Sequence, residues 1–128
     1  MSQDDHNPTA LVVEDVQEVA EIVQLFLRRL GIQSHHADSA QAAKTYLEDH
    51  RPAFIILDIG MPIVSGWEFL QSIRTQDGLN DIPVAILTAY TDPDSRNKGQ
   101  ALNVDAYLKK PLIFDQLKEV VDTFLKLS

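Results

Sequence analysis

The chain has 128 residues, 45% of them hydrophobic, and its 11 Lys and Arg against 19 Asp and Glu give a formal net charge of −8. That balance leaves room for one ordinary domain with a real core, and it excludes two domains, global disorder and the basic surface that a nucleic-acid wrapper needs. With no cysteine, disulfides, thiolate zinc sites and cysteine nucleophiles are excluded as well.

Residues 1–8 (MSQDDHNP) read as a short polar tail. The tail has no basic n-region or apolar h-region, and no apolar run in the chain approaches the ~18 residues of a membrane span. The expectation is therefore a cytoplasmic protein without membrane contact. Thr9–Val13 is short, apolar and β-branched, the pattern of a strand buried on both faces. Val16, Val19, Ala20, Val23, Phe26, Leu27 and Leu30 then fall on one stripe of a 3.6-residue period. The helix they predict has Glu18 and Glu21 early, Arg28 and Arg29 late, and Gly31 to end it. Asp15 with Glu18 also fits a capping box at its start. Residues 32–37 form a more polar strand suited to a sheet edge. Ser39 caps a helix to about residue 50, with Ala43 and Leu47 inward.

Residues 53–57 are the second buried strand. Ser65 and Glu68 make a capping box for a helix through Phe69, Leu70 and Ile73. Residues 83–87 are the third buried strand. Asp92-Pro93 opens a weak helix that holds Gly99, Ala101 and Leu102, and Asn103 in the next turn can take the left-handed conformation. Ala106–Lys109 is a short strand. The last helix carries Leu117, Val121, Phe124 and Leu125, with Ile113 where a polar cap is usual.

Five strands alternating with five helices require crossover connections, hence a parallel sheet covered on both faces. Sites in such sheets form outside the carboxyl ends of the strands. There the sequence places Glu14 and Asp15, Asp58, Thr88, and Lys110 before Pro111. Three carboxylates within a few ångströms repel by roughly 4 kcal/mol per pair at an effective dielectric near 20. One lysine cannot neutralise them. A divalent cation can, and an all-oxygen donor set favours Mg²⁺. A metal, a lysine and a hydroxyl around a carboxylate suit phosphoryl transfer with an aspartyl nucleophile, and Asp58 ends the central strand.

With these residues in order, residues 9–127 resemble the receiver domains of two-component response regulators, the CheY-like family. The likeness lies in Val13-Glu14-Asp15, in Asp58-x-x-Met61-Pro62 with Gly66, in Thr88-Ala89, and in Tyr107-x-x-Lys110-Pro111. It implies a single flavodoxin-like (βα)5 domain over residues 9–128, a doubly wound parallel five-stranded sheet in the order 2-1-3-4-5. It implies Asp58 as phosphoacceptor. Mg²⁺ would be held by Asp15, by Asp58, by the Gly60 backbone carbonyl, and by Glu14 mostly through water. Thr88 and Lys110 would meet the phosphoryl oxygens, and Thr88 with Tyr107 would form the switch pair. Gly60 and Tyr90, two residues after Asp58 and Thr88, would tune the lifetime of the phosphoryl group. The implied partners are a histidine kinase or phosphotransfer protein and an unidentified downstream protein. Nucleic acid is not contacted directly. The resemblance leaves room for a homodimer through the last two helices and the last strand. The chain would catalyse only its own phosphorylation and dephosphorylation, and the receiver would fill it, so that its output is another protein unless it is excised from a larger regulator.

Three rival readings exist. A phosphohydrolase with an aspartyl nucleophile places a second carboxylate two residues after the first, where this chain has Gly60. A flavin module needs a phosphate cradle after the first strand, where Glu14 and Asp15 would repel phosphate. A degenerate docking receiver would not need the full set of Glu14, Asp15, Asp58, Thr88 and Lys110. His35 and His36 point to opposite faces of a strand, so they do not chelate one ion.

Overall fold

The structure is a computed structural model that describes residues 8–61, 65–89, 97 and 100–126. Apolar pentapeptides make its three central strands: β1 (Thr9–Val13), β3 (Phe54–Asp58) and β4 (Val84–Thr88), the last two buried along their whole length. β2 (Gln33–Ala37) and β5 (Ala106–Lys109) are more exposed, and they are the two edges. All pairings are parallel and the order is β2-β1-β3-β4-β5. Among the described residues the helices are α1 (Gln17–Arg29), α2 (Ala40–Asp49), α3 (Gly66–Arg74) and α4 (Phe114–Lys126).

Strand alternation divides the core in two. Leu11, Val13, Ile55, Leu57, Val84 and Ile86 pack against α2 and α3 through Ala43, Leu47, Phe69 and Leu70. Ala10, Val12, Phe54, Ile56, Ala85 and Leu87 pack on the other face against α1 and α4 through Val23, Leu27, Leu117 and Val121. Leu102, Val104 and Tyr107 add to the α2/α3 side. Helices thus cover both faces, as the alternating pattern requires. None of the described helices is long and apolar enough to cross a membrane.

The local signals set most boundaries. Ser39 Oγ accepts from Ala42 N at 3.0 Å, and both halves of the Ser65–Glu68 capping box form. Gly31 takes φ +80° just past α1, and Asn103 takes φ +59° before β5. The start of α1 differs from expectation. Val16, not Asp15, is its N-cap residue, with no side-chain cap, and Val16 is 43% exposed rather than part of the buried stripe. The Glu14 carboxylate accepts from the N–H of this N-cap residue, Val16, at 3.2 Å, just ahead of the helix. At α4, Ile113 offers only its carbonyl, which accepts from Gln116 N and Leu117 N. Of the helix expected from Asp92-Pro93 through Gly99, Ala101 and Leu102, residues 97, 100 and 101 are helical, and Asp92, Pro93 and Gly99 lie outside the described residues.

Candidate phosphoryl site at the carboxyl edge of the sheet

The pleat that buries Val12, Ile56 and Leu108 on the α1/α4 side sends the next residues of like parity, Glu14, Asp58 and Lys110, to the same side at the strand ends. Those three meet there. Lys110 Nζ lies 3.4 Å from Asp58 Oδ1 and 3.5 Å from Glu14 Oε1. The same parity argument separates the neighbouring lysines: Lys109 is exposed, while Lys110 faces the acids. The Lys110–Pro111 peptide is cis.

Asp15 joins from the first loop. One carboxylate oxygen from each of Glu14, Asp15 and Asp58 lies within 4.8 Å of the others. Glu14 is fully buried and Asp58 is 4% exposed, whereas Asp15 faces solvent. The Asp58 carboxylate is oriented by the Gly60 N–H, which donates to Oδ1 at 2.9 Å. Burial, and then the facing Asp58 carboxyl, push the Glu14 carboxyl up to about 7. Glu14 Oε1 is buried without a hydrogen-bond partner among the described residues. A buried carboxylate oxygen without a hydrogen bond costs free energy, and the single ammonium of Lys110, 3.5 Å away and shared with Asp58, does not balance three acids. An oxygen-seeking divalent cation relieves both, so the residues present fit Mg²⁺.

Two glycines shape the floor of the site. A Cβ on Gly66 would lie 2.5 Å from Ile59 Cα and 2.6 Å from Asp58 O, so only glycine lets α3 start this close to the end of β3. A Cβ on Gly60 would sit 3.5 Å from Asp58 Oδ1, an ordinary contact. A side chain there would fit and would reach the Asp58 carboxylate.

Thr88 ends β4, 2% exposed, one residue beyond the register partner of Asp58, Leu87. It shares parity with Ile86, whose register partner is Tyr107. Thr88 and Tyr107 therefore belong to one face of neighbouring strands, with Tyr107 half-buried at the margin of the α2/α3 core. Tyr90 and Pro62 lie outside the described residues.

Two features of this end were not apparent in the sequence. The first is which atoms crowd Gly66, a glycine whose sequence reading allowed close packing without naming its neighbours, the Ile59 Cα and the Asp58 carbonyl oxygen. The second is His36, whose Nε2 lies 2.7 Å from the Glu14 carbonyl oxygen, while His35 turns away and stacks on Tyr46 at 4.3 Å. Alternation predicted that the two imidazoles diverge. Only the fold shows what each one meets.

Residues 10–122 match the family model described as "Response regulator receiver domain". The response regulator Rre1 of Synechocystis sp. is 39% identical over 116 residues, covering 90% of this chain and 50% of that protein. The chain thus spans about half the length of that relative. Among solved structures, the chemotaxis protein CheY4 of Vibrio cholerae superposes with a TM-score of 0.87 at 25% identity, over 92% of this chain and 98% of that one. A response regulator receiver protein from Pseudomonas putida gives a TM-score of 0.85 at 28% identity, over 91% and 97%.

Proposed function

The chain belongs to the family of response regulator receiver domains, and from that membership we propose that Asp58 accepts a phosphoryl group from a histidine kinase, a phosphotransfer protein or a small phosphodonor. The observation that carries the proposal is the cluster of three carboxylates within 4.8 Å of one another, with a lysine 3.4 Å from the central one. So much negative charge around a buried carboxylate has no evident structural purpose, and it suits a site that recruits a cation and a phosphoryl group.

In the step itself an Asp58 carboxylate oxygen attacks the donor phosphorus. The bond from phosphorus to the donor nitrogen or oxygen breaks, and its electron pair leaves with the donor. An acyl phosphate remains on Asp58. The Gly60 N–H holds the carboxylate in place for attack. Lys110 already bridges Asp58 and Glu14, and its ammonium is positioned to follow negative charge onto the incoming phosphoryl oxygens. Asp15, Asp58, the Gly60 carbonyl and, mostly through water, Glu14 would hold Mg²⁺, which supplies positive charge against the carboxylates and the phosphoryl oxygens. The near-complete burial of Asp58 limits the access of hydrolytic water.

The readout follows from the shared face of Thr88 and Tyr107. The Thr88 hydroxyl turns toward the phosphoryl group, the Tyr107 ring moves inward, and the surface around β5 changes for a downstream protein. This is a shift between two pre-existing states. Gly60 offers no group to orient an attacking water. The chain therefore acts on no substrate beyond its own phosphoryl group. A phosphohydrolase reading finds no second carboxylate at Gly60.

The test uses beryllofluoride, a mimic of the acyl phosphate, read by the fluorescence of Trp67, the single tryptophan. Wild type should respond only with Mg²⁺ present, and Asp58→Asn should stay silent. A response of Asp58→Asn equal to that of wild type would overturn the proposal.

A further inference from the structure

We infer that His36 is a positioning residue for the metal-binding end of the site: its imidazole fixes the peptide between Glu14 and Asp15 and thereby aims the Asp15 carboxylate at the other two acids. The inference rests on the reading of Glu14, Asp15 and Asp58 as a Mg²⁺ site.

The geometry begins where the β1–β2 ladder runs out. The last register pair is Val13 with Ala37, and one further backbone bond runs from Glu14 N to Ala37 O at 3.0 Å. β2 ends at Ala37. The Glu14 carbonyl is thus the next acceptor along β1, just past the point where β2 stops supplying N–H groups. A carbonyl at a fully buried residue needs a donor. The half-buried His36 side chain supplies it, with Nε2 at 2.7 Å. A carbonyl oxygen carries no hydrogen, so Nε2 must carry the proton, and it does so both in this tautomer of the neutral ring and in the imidazolium. The contact therefore does not depend on the charge of His36.

That carbonyl belongs to the peptide plane shared by Glu14 and Asp15. Holding that plane constrains ψ of Glu14 and so places the N and Cα of Asp15, the base from which its side chain reaches the other two acids. The need is particular to Asp15. Glu14 is buried and held through its own carboxylate by Val16 N and Lys110. Asp58 sits at the end of a strand paired on both sides and is held by Gly60 N. Asp15 lies on an exposed loop between β1 and α1, outside both elements. His36 is the side chain from the neighbouring strand that anchors the start of that loop.

The test measures Mg²⁺ affinity by titration calorimetry and by Trp67 fluorescence, alongside melting of the metal-free protein. His36→Leu, which keeps bulk but loses the donor, should weaken Mg²⁺ binding about tenfold, the scale of a lost outer partner of a metal ligand. His36→Gln, whose amide N–H reaches a similar distance, should restore most of the affinity. His35→Leu, on the opposite face of the same strand, should leave it unchanged. In an Asp15→Asn background, His36→Leu should cost little more, because the effect runs through Asp15. If His36→Leu does not fold, His36→Asn, too short to reach the carbonyl, takes its place. Wild-type affinity in His36→Leu, or equal losses in His36→Gln and His35→Leu, would overturn the inference. A wild-type protein that ignores Mg²⁺ would instead overturn the reading on which it rests, and the inference with it.

Discussion

Glu14 is the residue on which the charge balance of the site turns. Its carboxyl is pushed up to about 7 by burial and by Asp58, whereas in the unfolded chain it titrates near 4.5. Between those values the folded protein binds more protons than the unfolded one, so the contribution of Glu14 to stability is fully present below about 4.5 and is lost as pH rises through about 7. Metal-free wild type should accordingly lose stability relative to Glu14→Gln across that window in urea melts at a series of pH values. Saturating Mg²⁺ should narrow the difference, since the cation favours the ionised carboxylate. A difference that stays flat with pH would contradict the assignment. Gly66 makes a second residue-scale demand. A methyl group there meets backbone atoms at 2.5 and 2.6 Å, which cannot rotate away. Gly66→Ala should cost about 1–3 kcal/mol in chemical denaturation, the scale of overpacking.

Among the elements, α1 has the most unusual surface. Ile22 and Leu25 are 46% and 48% exposed on a helix that also buries Val23 and Leu27. Ile22 borders a recess of about 360 Å³ lined by Val19, Leu87, Lys110, Pro111 and Leu112. Lys110 belongs both to that recess and to the acidic cluster, so a protein that delivers a phosphoryl group to Asp58 can bury apolar surface here as it does so. Ile22→Asp should slow transfer from a phosphorylated protein donor about tenfold, the worth of one buried aliphatic side chain. It should leave labelling by acetyl phosphate unchanged. Equal slowing with both donors would place Ile22 in the site's own structure instead. The elements also show what a sequence reveals. Caps at Ser39 and Ser65, and the left-handed Gly31 and Asn103, were readable because each depends on residues within a turn of it. The start of α1 differs by one residue, Val16 standing at the N-cap without a side-chain bond, because a D-x-x-E pattern shows that a cap is available and not that the backbone uses it.

At the scale of the whole molecule, chemistry and fastening sit at opposite ends of the sheet. Away from the acids, the Arg74 guanidinium, its side chain 8% exposed, donates to the carbonyls of Leu102, Asn80, Ile82 and Asn103 and pairs with Asp105 at 3.6 Å. It ties the segment after α3 to the turn before β5. Arg74→Ala leaves several carbonyls without their donor and should cost roughly 3 kcal/mol of stability. Because the site lies at the other end, its Mg²⁺ affinity should hold. A matching loss of affinity would mean that the two ends are coupled. The clip was invisible in the sequence, since Arg74 bonds to residues 28 and 29 positions away. Likewise His36 meets Glu14 across 22 positions. The meeting of Glu14, Asp58 and Lys110 was legible despite larger separations, because strand ends converge wherever a parallel sheet forms. Intact-mass spectrometry after incubation with acetyl phosphate tests the central claim most directly. Wild type should gain the mass of one phosphoryl group with Mg²⁺ and none without it, and Asp58→Asn should gain none. A phosphoryl group on Asp58→Asn, or full labelling of wild type without any divalent cation, would contradict it.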